Sequence, residues 1–383
     1  MAKIIRMTTI PTSLYTFIEG QLSALRKAGY DVLAVSSEGW ELDAISEREG
    51  VPNAVVPMVR NISPLQDLRS LWKMYRLFRK EKPTIVHSMT PKAGLIGMMA
   101  AKLAGVPVRI HTFTGLVWPT QHGFKKKLLM ATDRLLCKCA THVVPEGQGV
   151  KRIMAEAKIT NKPLYVLGHG NVRGINGDYF CQCDTVRSEA EKIREKGCYT
   201  FVFVGRLVAD KGIPELVRAF HSLPEKDVRL LLVGRYEPTH DPLPADVHEI
   251  IENDSRITVT GQLEDVRPWY AAGDAFIFPS HREGFPNSLL EAGAMGLPVY
   301  STNVNGADEI IRDGFNGIVF ELQPSEEERE KALHSAMRDI LVNKEKAAAM
   351  GANAREHVLS HWSSEIVLNA LMDFYKDILN KKL

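Results

Sequence analysis

No stretch of this 383-residue chain is long and apolar enough to suggest a membrane span; the longest candidate, AGLIGMMAAKLAGVPV at 93–108, is interrupted by Lys102 and by glycines. The opening MAKIIRMTTIP has neither the apolar stretch nor the small-residue cleavage site of a signal peptide, so a cytoplasmic location is expected. No G-x-G-x-x-G follows the first apolar run and no G-x-x-x-x-G-K-[ST] loop occurs, which disfavours dinucleotide oxidoreductases and P-loop enzymes. No D-x-D occurs either; Glu225-x-Asp227, in a polar turn, is the nearest approach, and no dedicated metal site is expected. Cysteine is scarce: five residues, odd in number, of which four form two C-x-C pairs at 137/139 and 181/183. Structural zinc sites usually space paired ligands by two to four residues, so these read as reduced thiols. No cofactor is called for.

What is present is enough chain for two cores, since 383 residues exceed what one usually supports. The net charge is only +2, yet residues 1–170 carry 24 Lys and Arg against 12 Asp and Glu, leaving 24 against 34 in the remainder. Basic clusters at 69–82 (RSLWKMYRLFRKEK) and 123–136 (GFKKKLLMATDRLL) are mixed with Leu, Met and aromatics at helical spacing. Such helices lie on anionic membrane surfaces, and they equally serve as solvated faces or attract an acidic second domain. Nucleic acid is not the expected partner, because no recognition motif accompanies the charge.

Short β-branched runs alternate with helical patterns through the first half: 3–8, 31–36, 84–88, 109–113 and 142–145. A second series runs through 199–204, 229–233, 257–260, 275–278 and 299–302. That rhythm predicts an α/β chain of two doubly wound, Rossmann-like domains, 1–170 and 171–362, followed by a terminal helix within 363–383. LGHGNVRGINGD at 167–178, with four glycines, suits a mobile linker. Ligands of such folds bind beyond the carboxyl ends of the strands, so two facing domains are expected to share a cleft.

REGFPNSLLEAGAMGLPV at 282–299 places Glu283 and Glu291 eight residues apart. Ser288-Leu-Leu-Glu291 fits a capping box, which by itself would make Glu291 structural. Glu283 precedes the helix and follows the apolar run at 275–278, where an acid faces a ligand crevice. After the run ending at Val204 comes GRLVADKGIPELVRAF, with Gly205, Arg206 and Lys211 in a loop before an amphipathic helix. Arg grips phosphate oxygens bidentately, Lys is a point charge, and a helix N-terminus such as Asn287–Leu289 adds amides. Carboxylates repel phosphate and suit hydroxyl groups, so cations and acids together point to a nucleotide sugar. In the first half, His87, His111, His122 and Lys92 stand at or near strand ends. His111, in RIHTFTGLVW, is the best placed for a role in the reaction, and Lys92, in SMTPKAGLIG, for an acceptor's phosphate.

Glu283-(x)7-Glu291, with Gly205-Arg206 and Lys211 upstream, resembles the signature of family 4 glycosyltransferases, enzymes of GT-B fold that retain anomeric configuration. The likeness extends through ISPLQDL at 62–68, VHSMTPKAGLIG at 86–97, RIHTFTGLVW at 109–118, VLGHGNVRGIN at 166–176 and NGADEIIRDGFNGIVF at 305–320. These are similar to members that build capsular and other surface polysaccharides. The resemblance implies that Arg206 and Lys211 hold the donor diphosphate, that Glu291 holds the ribose hydroxyls and that Glu283 holds the donor sugar. It also implies an acceptor-binding first domain, a nucleotide-sugar-binding second domain, and a last helix that crosses back to the first. Related enzymes commonly read H-x-H-T-P-K-A-G, where this chain has Met89 in place of the second histidine. Many carry His-Gly after the following strand, where this chain has Thr114-Gly115.

The expected activity is transfer of a sugar, hexosyl or N-acetylhexosaminyl, from a nucleoside diphosphate donor, with UDP the expected nucleotide, to a glycan acceptor carried on polyprenyl diphosphate. The protein would then sit peripherally at the inner face of the cell membrane. The alternatives are a UDP-sugar epimerase of the same fold and a non-catalytic nucleotide-sugar-binding partner.

Overall fold

The computed structural model describes residues 1–59, 63–239 and 241–380. Ile62 of the ISPLQDL stretch and the last three residues of the predicted terminal segment therefore lie outside the described residues. The chain divides into two compact units: Met1–Gly174 together with the chain from Glu365 onward, and Ile175–Ser364.

The first unit is built on six parallel strands, β1 (Lys3–Met7), β2 (Asp31–Ser36), β3 (Asn53–Val55), β4 (Ile85–Met89), β5 (Val108–Phe113) and β6 (His142–Pro145), in the order β3-β2-β1-β4-β5-β6. The second repeats the plan with β7 (Tyr199–Val204), β8 (Val228–Val233), β9 (Ile257–Val259), β10 (Ala275–Phe278), β11 (Val299–Thr302) and β12 (Gly317–Phe320), ordered β12-β11-β10-β7-β8-β9. Counted within its unit, each sheet has the same doubly wound order, and all pairings are parallel. Parallel strands are covered by helices on both faces, which is why β7 and β10 read as unbroken apolar runs, YTFVFV and AFIF.

In such sheets the crevice for ligands lies where the strand order reverses, at the carboxyl ends of the two central strands. In the first unit that point falls between β1 and β4, where Arg6 is in register with His87. In the second it falls between β7 and β10, where Phe201 is in register with Ala275. The loops leaving β7 and β10 are thereby the ones that carry Arg206, Lys211 and Glu283.

Two strands escaped the sequence pattern, β3 and β12. Both are short edge strands whose residues are mostly half-buried or exposed. The closing helix, Ser364–Asn380, packs on the first unit: Leu371, Tyr375 and Ile378 join Ile4, Leu14, Leu22, Val32 and Ile110 in one apolar cluster. The segment expected to be a linker makes hydrogen bonds within each unit. The buried Asn171 donates its amide to the Glu146 carbonyl (2.8 Å), and its side-chain oxygen accepts from the amides of Arg173 (2.9 Å) and Gly174 (2.6 Å). The Ile175 amide continues the stitching to the Trp362 carbonyl at 2.8 Å.

Candidate active site

The two loops at the switch point of the second unit are held together by two ion pairs: Arg282 donates to Asp210 at 3.0 Å and Lys211 donates to Glu283. His281 Nε2 lies 2.9 Å from the buried Glu215 of the helix that follows. A backbone bond from the His281 amide to the Asp210 carbonyl, 2.9 Å, runs alongside. The order of charges explains the registry: acid then base at 210–211 meets base then acid at 282–283. Glu283 Oε1 also accepts from Ser280 Oγ at 2.7 Å, and the backbone carbonyl of Glu283 lies 3.4 Å from Asn305 Nδ2. Lys211 and Glu283 expose only 16% and 12% of their side chains. Burial by itself would raise the Glu215 carboxyl, but its partners His281 and Arg329 outweigh it and hold the group below the usual carboxylate range.

Two glycines make this loop geometry possible. Gly212, at φ +70°, closes a 3-10 turn at Ala209–Lys211 and caps the helix Ile213–His221; a Cβ there would stand 2.1 Å from the Pro279 carbonyl oxygen. Gly234, after β8, would place a Cβ 1.8 Å from the carbonyl oxygen of Gly205, so the segment that follows can run against the Arg206 loop only because it has no side chain. Leu207 then donates its amide to the Arg235 carbonyl at 2.9 Å, which brings Glu237 within 2.8 Å of Arg206 Nη1.

Beyond Glu283 the helix Asn287–Ala294 opens the same rim. The capping box expected from Ser288 and Glu291 does not form. Pro286 occupies the cap position, so Ser288 is the second helical residue, inside the turn it was expected to cap. Glu291 instead receives a hydrogen bond from the hydroxyl of the fully buried Tyr270 at 3.1 Å. The Ser-x-x-Glu box that does form is Ser325 with Glu328, both bonds at 3.2 Å. Among the described residues no group of three or more His, Cys, Asp or Glu is placed to hold a metal ion.

In the first unit the candidates separate. His111 does not stand at an open strand end: β5 runs two residues past it, and the ring is 1% exposed, with Nδ1 2.8 Å from Ser88 Oγ and its edge against Phe113. Gly94 is part of the reason, since a Cβ there would fall 2.3 Å from the imidazole. Burial, partly offset by the Ser88 hydrogen bond, pushes the His111 pKa down to about 3. It is a neutral core side chain. His87 is equally buried, bonded through Nδ1 to Tyr375 Oη (2.5 Å) and through Nε2 to Thr112 Oγ1 (2.7 Å). Burial, then the charge of Arg6 and the neighbouring His111, hold it well below the ordinary histidine value.

Lys92 reaches both carboxylate oxygens of Asp67 at 2.7 Å, and Thr114 follows β5 half-buried. Two residues before Lys92 stands one that sequence reasoning passed over. Thr90 has φ +69° and ψ 142°, a backbone conformation costing about 1–3 kcal/mol for a non-glycine. It is held by Thr9, whose amide donates to Thr90 Oγ1 at 3.0 Å and whose hydroxyl lies 2.8 Å from the same atom. Thr9 and Thr90 follow β1 and β4, the switch point of this unit. Asp210, Glu215, Glu237, Tyr270 and Arg282 were also missed. The complementary charge order of 210–211 and 282–283 was the one sequence signal that could have joined some of them.

The paired doubly wound sheets, with cations and a carboxylate on the switch-point loops of the second, have counterparts among known proteins. The family description "Glycosyl transferase 4-like domain" matches residues 15–170, and "Glycosyl transferases group 1" matches residues 198–343. The chain belongs to the family 4 glycosyltransferases, of GT-B fold, and is a glycosyltransferase. It is 34% identical to the capsular polysaccharide biosynthesis glycosyltransferase CapM of Staphylococcus aureus, across 99% of this chain and 98% of that one. It is 27% identical to the UDP-Gal:alpha-D-GlcNAc-diphosphoundecaprenol alpha-1,3-galactosyltransferase of Escherichia coli, across 86% and 84% of the two chains. In fold it is similar to Anabaena Alr3699/HepE, solved in complex with UDP and glucose, with a TM-score of 0.82 at 16% identity, over 98% of this chain and 100% of that one.

Proposed function

We propose that this protein is a retaining glycosyltransferase that moves a sugar from a UDP-linked donor to a glycan carried on polyprenyl diphosphate, in the assembly of a capsular or other surface polysaccharide. The observation that carries the reading is the convergence of Arg206, Lys211 and Glu283 on the two loops at the switch point of the second sheet. The cations would hold the donor diphosphate and stabilise the charge that develops on the departing oxygen, with the first amides of the helix Asn287–Ala294 beside them. Glu283 would accept from the donor sugar's hydroxyls, and Glu291, steadied by Tyr270, from the ribose. Retention requires the acceptor hydroxyl to attack from the leaving group's face and to give up its proton there. The Escherichia coli galactosyltransferase supports both UDP and a diphosphoundecaprenol-linked acceptor, and CapM supports the capsular setting. Lys92, beside the strained Thr90, is assigned to the acceptor's phosphate. His111 has no part in the reaction.

Calorimetric titration with UDP and with GDP tests the donor. Micromolar binding of UDP, unaffected by EDTA and weakened in Glu291→Ala, is the expected result. Binding of GDP in preference would replace the donor, and binding of neither by the folded protein would remove the assignment of this site.

The membrane part rests on a separate surface. Leu65, Leu68 and Trp72 recur along one face of the helix Pro64–Glu81 and are 77%, 63% and 58% exposed, with the exposed Arg69, Lys73 and Arg76 among them. Phe124, 80% exposed, begins a second such run with Lys125 and Lys127. An apolar stripe edged by cations fits the boundary of an anionic bilayer. Among the described residues no helix is long and apolar enough to cross a membrane. The protein is expected to co-sediment with phosphatidylglycerol vesicles at low salt, and Leu68→Ser/Trp72→Ser to reduce the bound fraction severalfold. Wild-type protein left wholly in the supernatant would overturn this part alone.

A further inference from the structure

We infer that Glu237 is a positioning residue for the donor diphosphate, a role that rests on the reading of Arg206 given above. Arg206 Nη1 donates to Glu237 Oε2 at 2.8 Å, and no other N–H of that guanidinium has a protein acceptor among the described residues. The carboxylate therefore takes one nitrogen and leaves the Nε and Nη2 edge, the edge that grips phosphate oxygens side-on.

Glu237 is itself steadied. Its second oxygen lies 3.4 Å from Arg235 Nη2, and the Arg235 backbone two residues before it is tied to the Arg206 loop by the bond from the Leu207 amide to the Arg235 carbonyl. The Arg206 hydrogen bond foremost, opposed by partial burial and helped by the charges of both arginines, keeps this carboxyl below its usual range. Two arginines against one carboxylate leave the cluster positive, so it remains attractive to phosphate.

The alternative of a purely stabilising ion pair is weak. The Arg206 side chain is 49% exposed, and exposed pairs contribute little to folding. What the pair does achieve is to hold a long side chain, otherwise free to sample many rotamers, in one orientation before the ligand arrives, which reduces the ordering cost of binding. The sequence RYEP at 235–238 carries no sign of this, because the partner is about thirty residues upstream and meets it only through the Gly205–Gly234 approach.

Calorimetry on Glu237→Ala and Glu237→Gln, each with UDP and with uridine, tests the assignment. Glu237→Ala is expected to weaken UDP by about tenfold while leaving uridine within about twofold, because uridine has no phosphate to misplace. Glu237→Gln is expected to recover most of the loss, since its amide oxygen still accepts from Arg206. Arg206→Ala/Glu237→Ala should bind UDP as Arg206→Ala does. Unchanged UDP binding in Glu237→Ala, equal weakening of UDP and uridine, or tighter UDP binding would each overturn the inference while leaving the donor site standing. If Arg206→Ala itself bound UDP as the wild type does, the donor-site reading would fall and this one with it.

Discussion

Replacing Lys211 by alanine is expected to lower the rate of sugar transfer by about two to three orders of magnitude, the range seen when a group that stabilises a developing oxyanion is removed. The leaving nucleoside diphosphate gathers negative charge on its bridging oxygen, and the ammonium group sits on the loop that faces it under the proposed assignment. The same substitution should also cost folding about 3 kcal/mol, because the pair is largely buried and Glu283 loses its cation. Glu283 keeps its hydrogen bond from Ser280 Oγ at 2.7 Å, and the parallel pair of Arg282 with Asp210 still joins the two loops. Arg206→Ala is expected to behave in the same way, with less effect on stability because its side chain is half exposed. Steady-state transfer rates read beside thermal melts separate the two effects. Near-normal turnover in both folded variants would remove these cations from the mechanism.

The second large effect concerns acid. His87 and His111 are buried and uncharged, with folded-state pKa values below that of an unfolded histidine, near 6.5. The unfolded chain therefore binds more protons than the folded one in the window below pH 6.5. The stability these residues contribute is complete above that value and is lost as pH falls, for His111 down to its folded value of about 3. Each group contributes a slope approaching about 1.4 kcal/mol per pH unit, opposed between about pH 4 and 7 by Asp133, whose carboxyl burial raises to about 7. Urea midpoints of the wild type between pH 7 and 4, set against His111→Leu, give the test. The variant should lose about 1 kcal/mol at neutral pH with the Ser88 hydrogen bond, and its acid slope should be smaller than that of the wild type by up to about 1.4 kcal/mol per pH unit. An acid slope identical to that of the wild type would show that His111 is not the buried neutral group described. The result also bears on mechanism, since His111 was expected from its place in RIHTFTGLVW to have a role in the reaction.

Much of the architecture was legible in the chain because parallel strands covered on both faces must be apolar along their whole length. YTFVFV and AFIF announce themselves without any knowledge of their neighbours. The edge strand Asn53–Val55, half-buried or exposed at each position, has no such signature. The site was legible in part for a related reason. Gly205, Arg206, Lys211 and Glu283 follow directly on strong strands, so their place at carboxyl ends could be inferred from order alone. The Ser288–Glu291 motif misled because a capping box is defined by spacing, while the actual start of the helix is decided two residues earlier by Pro286, whose ring fixes the approach of the chain.

By itself, then, the sequence determined the α/β class, the two-sheet plan, the terminal helix and the kinds of group that a nucleotide sugar would meet. These follow from local hydrophobic pattern and from residues adjacent to it in the chain. The tertiary structure alone decided which groups meet one another: that Lys211 pairs with Glu283, 72 residues away, that Tyr270 supports Glu291, that Glu237 holds Arg206, and that His111 is sealed beneath Gly94. Such contacts depend on strand order and on how closely two backbones approach. Neither leaves a mark at fixed spacing along the chain, because the loops they join are brought together by the sheet between them.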